Sequence, residues 1–380
     1  MNTVDLTKKL ISIPSYVDDS TNEQEIAEYV YQYLSNIPWL ITTKQNVKND
    51  RFNVIAYSSP YPKLLLVGHL DTVQPSANWQ TLPCQPIEKN NTIIGLGSSD
   101  MKSGLAAILS SLPKKKPVTE LMILFYVDEE YDFAGMKQFT RKYQGKIQPQ
   151  LIVSADDDDC AFGYACRGLI EFSAIIKGKL GHAANPNSGI NAITNTAIAI
   201  KQLSDRLQKY SSPELGKTSL NLAYLAGGQN QGFNNQTNQL ELGRQGNIIP
   251  DITEIVVDIR PSNQSLTARQ VIILLRSGLK KNGLELIQTK IRHDLGAWIT
   301  KKQDLSKVTR LVNNPKFIDP SNRGYVDLQM LWQTFNQVAC VTYGPGDPAC
   351  PHQPNEFVPI KNINKASRFY KLLISSPDTI

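Results

Sequence analysis

Five cysteines in 380 residues, at positions 84, 160, 166, 340 and 350, form no CxxC pair and are odd in number. That usage argues against a disulfide framework and fits reduced thiols in a cytoplasm. No uncharged apolar run reaches membrane-spanning length, and the first twenty residues, MNTVDLTKKLISIPSYVDDS, lack the apolar core of a secretion signal. A net charge of +6 is mild, and the densest basic run, Lys114–Lys116, reads as a solvated loop with no interleaved aromatics. Neither a nucleic acid nor a membrane is therefore expected as a partner. No internal repeat occurs, and the only biased segment is Asp156–Asp159.

What is present is an ordinary globular composition, 41% hydrophobic and 19% charged, in a chain longer than one core usually supports. Thr21-Asn22-Glu23-Gln24 reads as a capping box before a helix carrying Ile26, Val30 and Leu34. Strands are expected at 64–68, 121–127, 151–155 and 338–344, with helices at 101–112 and 133–143. Apolar runs alternating with helices indicate an α/β domain: a mostly parallel sheet with helices on both faces.

The middle of the chain has another rhythm. Strand 169–178, helix 191–210, strands 218–227 and 253–261, helix 268–282 and strand 284–291 follow the order of a ferredoxin-like α+β unit. The late strand resembles those of the first half, so 169–293 is expected as an insertion into a catalytic domain formed by 1–168 and 294–380.

Each apolar strand runs into residues that a core would not select. LLLVGHLDTV ends in His69 and Asp71, and GLGSSDMKSG opens a helix with Asp100. VDEE supplies Glu129 and Glu130, SADD supplies Asp156 or Asp157, and GPGDPACPHQPNE leads to His352. Successive parallel strands deliver such residues to one sheet edge. Histidines and carboxylates there are the ligand types of a zinc-like site. If Asp100 bridges two metals, His69, Asp156, Glu130 and His352 complete three protein donors for each, an open coordination that leaves room for water. One carboxylate of the Glu129–Glu130 pair is then left to take that water's proton. Asp71, two residues from His69 and on the same strand face, can orient the imidazole. Cys350 is not needed in this donor set, and His293, which belongs to no motif, is expected on the surface.

GHLDTV, GLGSSDMKSG, VDEE, GHAANP, DIRP and HQPNE occur in this order over essentially the whole chain. Together they resemble the di-zinc amidohydrolases and peptidases that include acetylornithine deacetylase, succinyl-diaminopimelate desuccinylase, aminoacylase and glutamate carboxypeptidase. The resemblance implies a catalytic domain with an inserted lid and dimerisation domain, and hydrolysis of an N-acyl amino acid or a short peptide. It implies two Zn2+ per chain, with Co2+ or Mn2+ as possible substitutes. His69 and Asp156 would hold one ion, Glu130 and His352 the other, and Asp100 both. Glu129 would be the general base, with Asp71 behind His69. His182 of GHAANP would reach a partner subunit's site in a homodimer, and Arg167, Asn247 and Arg260 would contact substrate. The sequence departs from the family pattern at Ser154-Ala155-Asp156-Asp157, where a one-residue slip to Asp157 stays open, and at the loop 322–327.

Overall fold

The computed structural model describes residues 1–237 and 239–379. Among them the chain forms two compact units. One comprises Met1–Tyr164, Ile299–Asp319 and the segment from Asp327 onward; the other comprises Ala165–Trp298 and Pro320–Val326.

The first unit is organised by a six-stranded sheet in the spatial order Ile41–Lys48, Arg51–Tyr57, Leu121–Tyr126, Leu64–His69, Leu151–Ser154, Ala339–Thr342. The last four run parallel to one another, and the first two form an antiparallel hairpin on the edge. Leu64–His69 and Leu121–Tyr126 are buried at every position, which is why they carry unbroken apolar runs rather than alternation. The edge strand ITTKQNVK is largely exposed and polar, with lysines that discourage pairing with another chain. That polarity hides it from an apolar-run reading, so the hairpin was not expected.

Helices Thr3–Ile11, Ser103–Ser111 and Ile360–Ser375 pack on one another as one layer, and Ala134–Tyr143 packs on Leu328–Thr334 in another. Leu6 and Leu10, and Ile363, Ala366, Tyr370 and Leu373, lie at helical spacing and are fully buried. Each buried leucine contributes about 1.5–3 kcal/mol. Helix Gln24–Ser35 departs from expectation at its start. Its cap residue is Glu23, with no side-chain cap bond, because the Glu23 carboxylate is engaged by Arg51 and by the Asp128 amide. Asn22 instead accepts from the Gln24 N–H.

The second unit has a five-stranded antiparallel sheet in the order Gln239–Gly243, Ser219–Asn234, Ile252–Arg260, Leu169–Lys177, Glu285–Leu295. The two central strands alternate buried and half-exposed residues, so one face is apolar. Helices Ala192–Leu207 and Ala268–Lys281 cover that face through Ala199, Leu203, Val271 and Leu275. The element order and strand order are those of a ferredoxin-like fold, lengthened by the hairpin to Gln239–Gly243. Asn191 and Thr267 cap the two helices, the latter in a capping box with Gln270. His293 is buried rather than on the surface. A register shift between Ile291 and His293 breaks the two-residue alternation and turns the ring inward.

Candidate metal centre

The parallel strands of the first unit end side by side. His69 is the last residue of its strand and pairs in register with Tyr126; Val67 and Thr342 both pair with Ser154. These ends and the segments leaving them carry His69, Glu129, Glu130, Asp156 and His352, while Asp100 enters from the turn before helix Ser103–Ser111. Helix Ser103–Ser111 approaches them closely because residue 104 is glycine: a Cβ there would lie 2.3 Å from the Ala155 carbonyl oxygen.

His69 is buried, and its ring is held from both sides. Nε2 lies 2.8 Å from Asp100 Oδ1, and Nδ1 lies 3.0 Å from the Asp71 backbone carbonyl. A carbonyl can only accept, so Nδ1 carries the proton and Nε2 is free to ligate. The Asp71 carboxylate is 3.7 Å from Nδ1, beyond hydrogen-bond range. Its oxygens instead accept the N–H groups of Glu129 (3.1 Å) and Glu130 (2.9 Å). Asp71 therefore orients the imidazole through its main chain, and its side chain serves the acidic pair.

The VDEE turn is fixed from the preceding residue as well. Asp128 adopts a left-handed φ of 70°. Its N–H donates to Glu23, and its carboxylate accepts from the Ala134 N–H and from Arg51. Arg51 also forks onto both oxygens of Glu23 at 2.7 and 2.5 Å. This buried Glu23–Arg51–Asp128 triad and Asp71 thus satisfy three successive amides, 128 to 130.

Of the two candidate aspartates, Asp156 groups with His69 and Asp100. Asp157 has a φ of 144° and accepts the Thr342 hydroxyl. His352, at a left-handed φ of 62°, places Nε2 3.0 Å from Glu130 Oε2 and 3.6 Å from Asp100 Oδ2.

Three donor sets result: His69 with Asp100 and Asp156; Asp100 with Glu130 and His352; and His69 with Glu129 and Glu130, the donor atoms of each lying within 4.8 Å of one another. Asp100 is shared by the first two. The charges are strained. Burial, then repulsion from Asp327, pushes the Glu129 carboxyl well above the usual range, and burial and Asp100 raise Glu130. Burial raises Asp327 to about 7. The nearby Asp100 carboxylate and the closer Glu130 carboxylate push His352 up to about 10. Asp100 is the exception: burial opposes its ionisation, but the neighbouring His352 imidazole and the hydrogen bond from His69 outweigh burial and hold it below the ordinary value. Glu130 Oε1 is buried without a hydrogen-bond partner. Crowded carboxylates, an orphaned oxygen and imidazoles with Nε2 turned inward fit a pair of divalent cations, which would supply the missing positive charge.

The remaining sequence candidates belong to the second unit. His182 is exposed; its N–H donates to Ser188, and its Nδ1 accepts from the Ala184 N–H. The Asn247 carbonyl accepts from the Ala183 N–H, so Asn247, just before the short strand Ile248–Ile249, lies beside the strand that carries His182. Arg167 reaches Ser219, which pairs in register with Arg260, and Arg260 forks onto Asp258 at 2.9 and 3.1 Å.

Sequence reasoning gives Glu23, Arg51, Asp128, Asp327 and Glu356 no role at the centre, although Asp128 stands beside Glu129 and Glu130 at the strand end. Asp327, whose carboxylate accepts the Tyr126 hydroxyl at 2.8 Å, lies in the loop that departs from the family pattern. Glu356 closes the HQPNE stretch and could have been read from it. Nothing in the spacing of Glu23, Arg51 and Asp128 announces their contact.

Comparison with known proteins identifies the family. An acetylornithine deacetylase of Buchnera aphidicola subsp. Acyrthosiphon pisum (strain 5A) is 28% identical over 395 residues, covering 95% of both chains. A protein of Aspergillus flavus named a probable carboxypeptidase is 23% identical over 404 residues, covering 97% of this chain and 88% of its own. The crystal structure of a dinuclear metal-binding peptidase from Bacillus subtilis superposes with a TM-score of 0.67 at 15% identity, covering 100% of this chain and 98% of that one. That likeness establishes a common fold. Residues 65–376 match Peptidase family M20/M25/M40, and the chain belongs to that family of amide-bond hydrolases.

Proposed function

We propose that the protein removes the acyl group of an N-acyl amino acid by hydrolysis, in the manner of acetylornithine deacetylase or succinyl-diaminopimelate desuccinylase. The observation that carries this reading is the shared position of Asp100 between two donor sets, His69–Asp156 and Glu130–His352. Two zinc ions held there, with cobalt or manganese as substitutes, would polarise the scissile carbonyl and acidify the attacking water. Glu129 would take the proton from that water and return it to the leaving nitrogen, a role suited to a carboxyl whose pKa burial has raised. Asp71 would hold Glu129 and Glu130 apart through their amides, so that one ligates while the other shuttles the proton. Arg167, Asn247 and Arg260 would meet the substrate's carboxylate and its neighbouring groups.

His182 would donate to the oxyanion of a partner subunit in a homodimer. Ile287 and Ile291, 52% and 47% exposed on the unpaired edge strand Glu285–Leu295, support association through the second unit. A cytoplasmic location accords with five free cysteines.

The test is release of free amine from N-acetylornithine, N-succinyl-diaminopimelate and a panel of di- and tripeptides by metal-loaded protein. Turnover of an acyl amino acid at least tenfold above that of any peptide is expected. Preferential peptide cleavage would favour the second reading, a di-/tripeptidase or carboxypeptidase, which the Aspergillus flavus relative supports.

A further inference from the structure

We propose that Glu356 is a positioning residue of the metal centre, fixing the loop that presents Asp100 to the segment that presents His352. The inference rests on the two-metal reading above. Glu356 is 3% exposed. Its Oε2 accepts the Gly97 N–H at 2.8 Å, and its Oε1 accepts those of Ser99 at 2.6 Å and Asp100 at 2.9 Å. Its carbonyl accepts the Gly95 N–H at 2.9 Å. One residue thus receives four amides from the six-residue stretch 95–100.

An uncompensated buried carboxylate is costly, whereas one that accepts several N–H groups is held firmly. The loop is shaped for this grip. Gly97 has a φ of 75°, and a Cβ there would meet Thr72 at 2.6 Å, so the backbone that turns its amide toward Glu356 requires glycine. A second tie runs alongside, the Asp347 N–H donating to Ser99 Oγ at 2.7 Å. Beyond Glu356, Phe357 pairs with Ile94 in an antiparallel register. Asp100 and His352 belong to one donor set although 252 positions separate them in the chain, and Glu356, four positions after His352, joins their backbones. Moving either loop therefore moves both ligands relative to Glu130.

Glutamine is the informative replacement. Its oxygen can still accept from Ser99 and Asp100, but its NH2 would face the Gly97 N–H, donor against donor.

The experiment measures metal, independently of turnover. Wild type, Glu356→Gln and Glu356→Asp are stripped, checked for fold by circular dichroism, and titrated with zinc by calorimetry. Wild type should bind two ions. Glu356→Gln should stay folded yet bind at least one ion about tenfold to a hundredfold more weakly, as loss of a ligand-orienting partner does. Its turnover should recover in excess metal with KM unchanged. Glu356→Asp, which keeps the charge but is too short to span the amides, should weaken binding in the same direction, and it decides the question if the glutamine variant does not fold. Wild-type affinity for both ions in a folded variant overturns the inference, as does lost turnover that excess metal fails to restore. Fewer than two ions on wild type would instead overturn the two-metal reading and the inference with it.

Discussion

The carboxylate of Asp71 accepts the backbone N–H groups of both Glu129 and Glu130, at 3.1 and 2.9 Å, while its own carbonyl lies 3.0 Å from Nδ1 of His69. One buried residue therefore controls two strand ends with different atoms. Asp71→Ala leaves two buried donors unsatisfied, which should cost about 1–3 kcal/mol for each. It retains the carbonyl that orients His69. Metal affinity should fall roughly tenfold to a hundredfold through the displaced acidic pair. Asp71→Asn keeps one acceptor oxygen and should lie between the two. Denaturant unfolding and metal titration of both variants check this, and wild-type metal affinity in the alanine variant would contradict it.

Glu129→Gln should retain both metals and lose about a hundredfold to ten-thousandfold in turnover, because an amide cannot accept the water's proton. Steady-state rates on protein of verified metal content decide the point. Near-normal turnover would transfer the proton shuttle to another group.

The metal-free protein should become less stable as pH rises. Burial raises Asp327 from 3.8 to about 7. An acid whose folded pKa is raised contributes stability that is fully present below its unfolded pKa and lost as pH climbs through the folded one. His352, raised from 6.5 to about 10 by Asp100 and Glu130, has the same sign. Asp100 has the opposite sign, but its contribution changes only near and below pH 3.8. The melting temperature in chelator should therefore fall between about pH 4.5 and pH 8. Adding zinc at pH 8 should reverse the loss, by about 4 kcal/mol at a thousand times the dissociation constant. A metal-free melting temperature that climbs over this window would refute the charge balance described above.

Mixing two inactive variants tests His182. If it acts in a partner subunit's site, a heterodimer of His182→Ala and Glu129→Gln regains one working site, assembled from the first chain's Glu129 and the second chain's His182. Loss of such an oxyanion donor costs about a hundredfold to a thousandfold, so recovery should stand well above either variant alone. Absence of recovery in verified heterodimers would place His182 outside the partner's chemistry.

How far the sequence was legible depended on how local each signal was. The buried strands were visible because a strand covered on both faces must be apolar throughout, as LLLVGH and LMILFY are. Residues at their ends were visible because a charge there needs a reason. The edge hairpin is hidden because its outer strand is polar, and the capping box expected over Thr21–Gln24 gives way to Glu23 at the cap position with its carboxylate bound to Arg51. The Glu23–Arg51–Asp128 contact joins a helix start, the first residue of the sheet's second strand and a turn, and only the folded sheet brings them together. His293, expected on the surface because it belongs to no motif, is buried at a register irregularity that the sequence does not announce.

The donors of the centre are spread from His69 to His352, so the shared site is among the last things the growing polypeptide can complete. Until residue 352 has emerged from the ribosome, Asp100 and Glu130 lack their imidazole partner, and Glu356 has not yet gripped the loop at 95–100. Metal capture is thereby coupled to synthesis of nearly the entire chain, since a site formed only in the folded state cannot bind before that state exists. The donor set of Asp100, Glu130 and His352 therefore forms only once residue 352 has joined the fold.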